Sequence, residues 1–303
     1  QVRQAQETFA RIVPDLANIR QTLKEKSEVT ERRLSRAVGA EAAALSETAD
    51  RQRSLAAQCA FLQAWAMYYQ AWLGGKRDTA RAAEPLFAEL LGAESPTPLP
   101  DDISVDLRAN EPVARAILGM ALCKSQSSST ATALAWMALL EDEHAFAALR
   151  EEAPAWKLSI LLDQGDFVQV RTLLDELHLA QRELPLTWLR LIMVHALESA
   201  STNRIAAELA RQMVFELAAR GEFDQILDLA TRYGVEAMGE SGFALQFVRG
   251  VLDYQKARAA HSGDDPTVDA AQMALFESAD RSLADALKQD DASKFPTAAP
   301  SCR

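Results

Sequence analysis

Apolar positions recur every three or four residues through most of this 303-residue chain, the spacing of one helical face. Between Gln1 and about Val38 the stripe is Phe9, Ile12, Val13, Leu16, Ile19 and Leu23, which predicts a helix that Pro14 begins or kinks. Glu47 to Leu91 reads as a helical hairpin. Its first helix carries Leu55, Cys59, Leu62, Ala66, Tyr69 and Leu73 on one face, Gly74-Gly75 ends it, and Thr79 to Leu91 supplies an antiparallel partner. Three further hairpins follow the same pattern. Ala155 to Leu177 turns at Gly165-Asp166 before Phe167, Val170, Leu173, Leu174 and Leu177; Ile205 to Tyr233 turns at Gly221-Glu222-Phe223; and Gly242 to Ala260 is followed by Thr267 to Leu287. No window shows the alternating, β-branched pattern of a half-buried strand. The prediction is an all-α fold.

Three segments interrupt the helices. Ser95-Pro96-Thr97-Pro98-Leu99-Pro100 is expected to be extended or turned, because each proline disfavours helix in the residue before it. Ser125 to Thr130, almost all Ser, Gln and Thr, reads as a flexible connection. His261-Ser262-Gly263-Asp264-Asp265-Pro266 is a polar linker.

The hairpins resemble tetratricopeptide repeats. The resemblance is carried by Trp156, Leu158, Gly165, Asp166 and Phe167, more loosely by Gly221, Glu222, Phe223 and Ala230, and by Trp65, Tyr69, Gly75 and Ala80. It covers about half the chain, and the repeats are degenerate: Gly75, Gly165 and Gly221 are 90 and 56 residues apart against a family period of about 34, and Val170 stands where the family usually has Ala. The resemblance implies antiparallel hairpins stacked as a right-handed solenoid, divided here into N-terminal long helices and a first hairpin (1–94), a Pro-rich linker (95–110) and a repeat array (111–303). It also implies a concave wall of first helices on which a peptide or partner helix lies. Exposed polar residues of those helices are then the partner-binding candidates: Gln63, Tyr68 and Gln70 on the Leu55 helix, Arg190 and His195 on the Leu186 helix.

Composition narrows the function classes. Alanine outnumbers Val and Ile together by more than two to one, which favours helix throughout. The net charge of -11 argues against a broad nucleic-acid surface. The one basic zone is the first helix, with Arg3, Arg11, Arg20, Lys24, Lys26, Arg32, Arg33 and Arg36 on its outer side, a solvated face or a dock for an anionic partner. No run approaches the roughly 20 apolar residues of a membrane span, since Gln58, Gln63 and Gln70 break the richest one. Cys59, Cys123 and Cys302 make no disulfide framework. Gly74-Gly75-Lys76 lacks the remainder of a phosphate loop, and Gly239-Glu240-Ser241-Gly242 lacks the strand and glycine register of a nucleophile elbow. His144, His178, His195 and His261 form no ligand pair. Glu141-Asp142-Glu143 reads as a helix start rather than a cation site. The five tryptophans, Trp65, Trp72, Trp136, Trp156 and Trp188, read as packing anchors.

The chain opens on Gln1 rather than Met, which points to a removed signal peptide or to upstream sequence, and Pro300-Ser301-Cys302-Arg303 reads as entry to another helix, so a piece of a longer protein is expected. The compartment stays open between cytoplasm and periplasm. The expectation is a non-enzymatic, cofactor-free scaffold that binds a protein or peptide and can self-associate. The alternatives are a helical accessory or substrate-binding part of a larger enzyme, and a self-assembling structural solenoid.

Overall fold

In the computed structural model, residues 2–93, 95–180, 182–235, 242–260 and 270–289 are described. Among them are thirteen α-helices and no strand. Gly239 to Ser241 of the nucleophile-elbow motif, the whole polar linker 261–266, and the C-terminal segment with Cys302 lie outside the described residues. The chain divides into two compact units, 1–160 and 161–303.

The first unit begins with two long antiparallel helices, α1 (Val2–Leu34) and α2 (Ala40–Gly74). α1 runs through Pro14; the missing N–H leaves only the Ala10 carbonyl without its helical donor. Gly75 ends α2 in the left-handed conformation at φ 61°, its N–H returning to the Ala71 carbonyl. Then come α3 (Arg77–Leu90), a short 3₁₀ turn at Pro100–Asp102, α4 (Val105–Arg108), α5 (Glu111–Ser127), α6 (Thr130–Glu141) and α7 (Ala147–Asp163), whose last three residues, 161–163, belong to the second unit. α3 packs on both α2 and α5, and α5 packs on α6. The Pro-rich segment 95–110 therefore joins helices that share one core. That core centres on Phe87, Ile117, Met120, Trp136, Met137 and Leu140, all nearly inaccessible to solvent.

The α2 stripe differs from its sequence reading. Leu55 and Leu62 are 40% and 54% exposed, whereas Ala49, Ala56, Ala60, Ala64 and Ala71 are buried. The physical reason is crowding: α2 contacts α1, α3 and α5, and only small side chains allow that many close approaches. The Ser-rich stretch is also not loose. Ser125 to Ser127 form the last turn of α5, Ser129 caps α6 by accepting from the Thr132 N–H, and Ser127 Oγ donates to Glu84 Oε1. Glu141-Asp142-Glu143 ends α6 instead of starting a helix; Asp142 Oδ1 accepts from the backbone N–H of His144, and Arg108 bonds its other oxygen at 3.2 Å. Trp136 is buried as expected, but Trp72 is 53% exposed.

Cys123 lies inside this core, and burial, reinforced by the Glu84 charge, pushes its thiol far up. Cys123 is therefore expected to resist a thiol-exchange reagent in the native protein at pH 8 and to react at once in denaturant; mass spectrometry of the Cys123 peptide gives the answer. Prompt native labelling would show that the α3–α5 core opens readily.

The second unit contains α8 (Phe167–Leu179), α9 (Leu186–Ser199), α10 (Arg204–Ala219), α11 (Phe223–Tyr233), α12 (Phe243–Ala260) and α13 (Ala270–Leu287). Its helices touch alternately: α8 with α10, α10 with α12, and α9 with α11, so next-but-one neighbours lie side by side. α10 packs most extensively on α9, not on α11, so the tight pair is α9–α10, and Gly221-Glu222 connects one pair to the next. Asn203 fixes the start of α10 by accepting from both Ile205 and Ala206 N–H groups. α13 closes on α12, with Gln272 Nε2 donating to the Ala257 carbonyl and Ser278 to Asp253.

Candidate functional site

α8, α10 and α12 begin at Phe167, Arg204 and Phe243, which are 37 and 39 residues apart; α9 and α11 begin at Leu186 and Phe223, 37 apart. Side-chain bonds between next-but-one helices carry nearly the same interval. Arg171 of α8 meets Glu208 of α10 at 3.1 Å, a separation of 37 residues. On the other layer Arg190 of α9 reaches Asp228 of α11 at 3.3 Å, 38 residues on, and Tyr233 donates to Glu198 at 3.0 Å, 35 residues away. Asp163, within the second unit, lies near enough to His195 of α9 for the two side chains to influence each other electrostatically.

The result is a row of polar side chains within the second unit, from Asp163 across α9 to α11. Asp163, His195, Arg190, Asp228, Glu198 and Tyr233 make it up. Although Asp163 is exposed overall, desolvation around its carboxyl raises its pKa, outweighing the pull of His195 in the opposite direction. Desolvation also raises the Tyr233 phenol, as does its bond to the Glu198 carboxylate, and Arg232 stacks over the Tyr233 ring at 5.0 Å. The exposed Arg190–Asp228 pair contributes little to stability, since solvent screens it.

Two of the five sequence candidates, Arg190 and His195, fall in this row. The other three lie on α2 in the first unit. Gln70 is half-buried there, while Gln63 and Tyr68 are buried and do not form an exposed wall. Tyr68 belongs to the core around Phe87, with the Trp65 ring edge-on at 5.8 Å. Polar atoms suggest a solvent face for both residues, but α2 is surrounded by α1, α3 and α5. Asp163, Asp228 and Tyr233 are not evident from the sequence pattern, whereas Glu198, three residues after His195 on the same helical face, reads from sequence as a surface hydrogen-bonding residue. The signal that could have found them is the near-38-residue spacing of helix starts, which the irregular glycines conceal.

Among the described residues no group of three or more His, Cys, Asp or Glu is placed to hold a metal ion, and no helix is long and apolar enough to cross a membrane. No protein-family model, curated protein or solved structure matches the chain.

Proposed function

We propose that the protein is a non-enzymatic helical-repeat scaffold whose second unit stacks tetratricopeptide-like pairs as a right-handed solenoid and takes a protein or peptide segment along the α7–α9–α11 layer. The observation that carries this reading is the polar row, with donors and acceptors displaced by nearly one constant interval from helix to helix. Such spacing presents an extended chain with bonding groups at regular steps and satisfies its backbone as well as its side chains. Arg190 and Asp228 then supply charge of both signs, and the Tyr233 ring with Arg232 offers a flat, partly apolar contact.

The test compares two ion-paired arginines on opposite layers, Arg190 and Arg171, 56% and 47% exposed. Arg190→Glu combined with His195→Glu is expected to lower capture of the partner from extracts about tenfold, whereas Arg171→Glu on α8 leaves it unchanged. Equal capture by the native protein and both variants, measured by quantitative mass spectrometry, would remove the α7–α9–α11 layer from consideration.

A further inference from the structure

The α1–α2 pair is unevenly supported along its length. α1 is 33 residues long and α2 35. α3 reaches α1 where Arg20 and Lys24 both engage Glu89. Further along, Thr30 bonds Gln52 and Arg53 meets Glu31, so α1 and α2 are tied to each other there. The fully buried positions of this stretch are small or short: Ser27 and Thr30 on α1, with Leu23 and Leu34 half-buried beside them, and Ala49 and Ala56 on α2. Such side chains bury little apolar area, so this half of the pair has a thin core.

One side of α1 is patterned for a neighbouring helix. Ile19, Thr22, Lys26, Val29 and Arg33 follow one another at intervals of three, four, three and four residues, the period of a coiled-coil seam, and Arg36 stands in the turn just after α1 ends. Ile19 and Val29 are 51% and 52% exposed. Two shallow concavities share Val29. One, of about 320 Å³, runs between Thr22, Lys26 and Gln52; the other, of about 270 Å³, is walled by Arg32, Arg33 and Arg36. Glu25 is the one acid lining either of them. Arg32 has Glu28 at 3.7 Å, a long and exposed contact, and neither Arg33 nor Arg36 meets a carboxylate among the described residues. In a chain of net charge -11 these unpaired cations stand out.

We propose that the side of α1 from Ile19 to Arg33, with Arg36 just after it, docks an acidic amphipathic helix of a partner protein, its apolar side chains on Ile19 and Val29 and its carboxylates on Lys26, Arg33 and Arg36. A polynucleotide would find cations there but nothing to stack on, and the net negative charge of the whole chain repels a long polyanion. The alternation of aliphatic and cationic positions instead matches a helix carrying Leu on one stripe and Glu beside it. This surface belongs to the first unit and is independent of the α7–α9–α11 layer, so the two can stand or fall separately.

The experiment uses the full chain and a fluorescent synthetic peptide of about five helical turns, Leu at the seam positions and Glu elsewhere. Its controls are the same peptide with Lys for Glu, a single-stranded oligonucleotide, and vesicles containing phosphatidylserine. Anisotropy is expected to show saturable binding of the acidic peptide, weakened at least about tenfold by Arg33→Glu with Arg36→Glu, similarly by Val29→Glu, and by added salt. The Lys peptide, oligonucleotide and vesicles are expected not to bind. Absence of acidic-peptide binding, equal binding by the charge-reversed protein, or preference for the oligonucleotide or vesicles would overturn the proposal. Should reversal reduce helical content by circular dichroism, Arg33→Gln with Arg36→Gln takes its place, and undiminished binding by that variant overturns the proposal in the same way.

Discussion

Replacing Lys124 by methionine is expected to destabilise the first unit by about 3–5 kcal/mol, as breaking a buried ion pair does. Lys124 Nζ lies 2.5 Å from Glu84 Oε2, and the two side chains are only 16% and 6% exposed. Ser127 Oγ donates to the other carboxylate oxygen at 2.5 Å, and Arg81 in turn holds the Ser127 carbonyl at 3.3 Å. Without the ammonium, the Glu84 charge stays in the core with one hydroxyl donor. The same physics predicts an asymmetry: Glu84→Leu combined with Lys124→Met removes both charges and keeps the volume, so it should recover most of the loss. Urea unfolding of the single and double variants measures this, and a double variant as unstable as the single one would show that the pair's value is not electrostatic.

Gly119→Ala should also destabilise, by about 1–3 kcal/mol, against the usual sign of that change in a helix. Mid-helix glycine normally costs about 1 kcal/mol relative to alanine. At Gly119, however, an added Cβ would sit 2.3 Å from the Phe87 ring. Phe87 is inaccessible to solvent and lies edge-on to Trp65 at 5.7 Å, so it has nowhere to move without opening the α2–α3–α5 core. Pairing Gly119→Ala with Phe87→Leu should cost less than the two changes summed, because the smaller side chain makes room for the methyl group. Strict additivity in thermal or urea denaturation would place the strain elsewhere.

Element by element, the periodicity of apolar residues locates the helices well. Gly75 and Gly165 mark helix ends where expected, and α12 and α13 match their predicted spans closely. What periodicity does not convey is which face turns inward when a helix has several neighbours. On α2 the large residues Leu55 and Leu62 suggest the core side, yet the alanines are buried, because backbone proximity, not side-chain size, decides which positions meet α1, α3 and α5. Helix pairing is similarly obscured: Gly221 looks like a hairpin turn, while α10 lies chiefly against α9. The candidate site is half legible for the same reason. Arg190 and His195 can be read from one helix, but Asp228 and Tyr233 acquire meaning only when helices nearly 38 residues apart come side by side.

The uneven seam between α1 and α2 has a mechanical consequence. Where Ser27, Thr30, Ala49 and Ala56 are the buried positions, shallow knobs offer little resistance to lengthwise sliding, and the register there leans on Thr30 Oγ1 with Gln52 Oε1 at 3.1 Å and on Arg53 with Glu31 at 3.0 Å. Toward the start of α1 the Phe9 ring stacks on Tyr69 with centroids 5.9 Å apart, and Gln6 Nε2 donates to the Leu73 carbonyl at 2.7 Å. The long pair therefore behaves as a bar clamped by interlocking rings at one end and kept in step by hydrogen bonds further along.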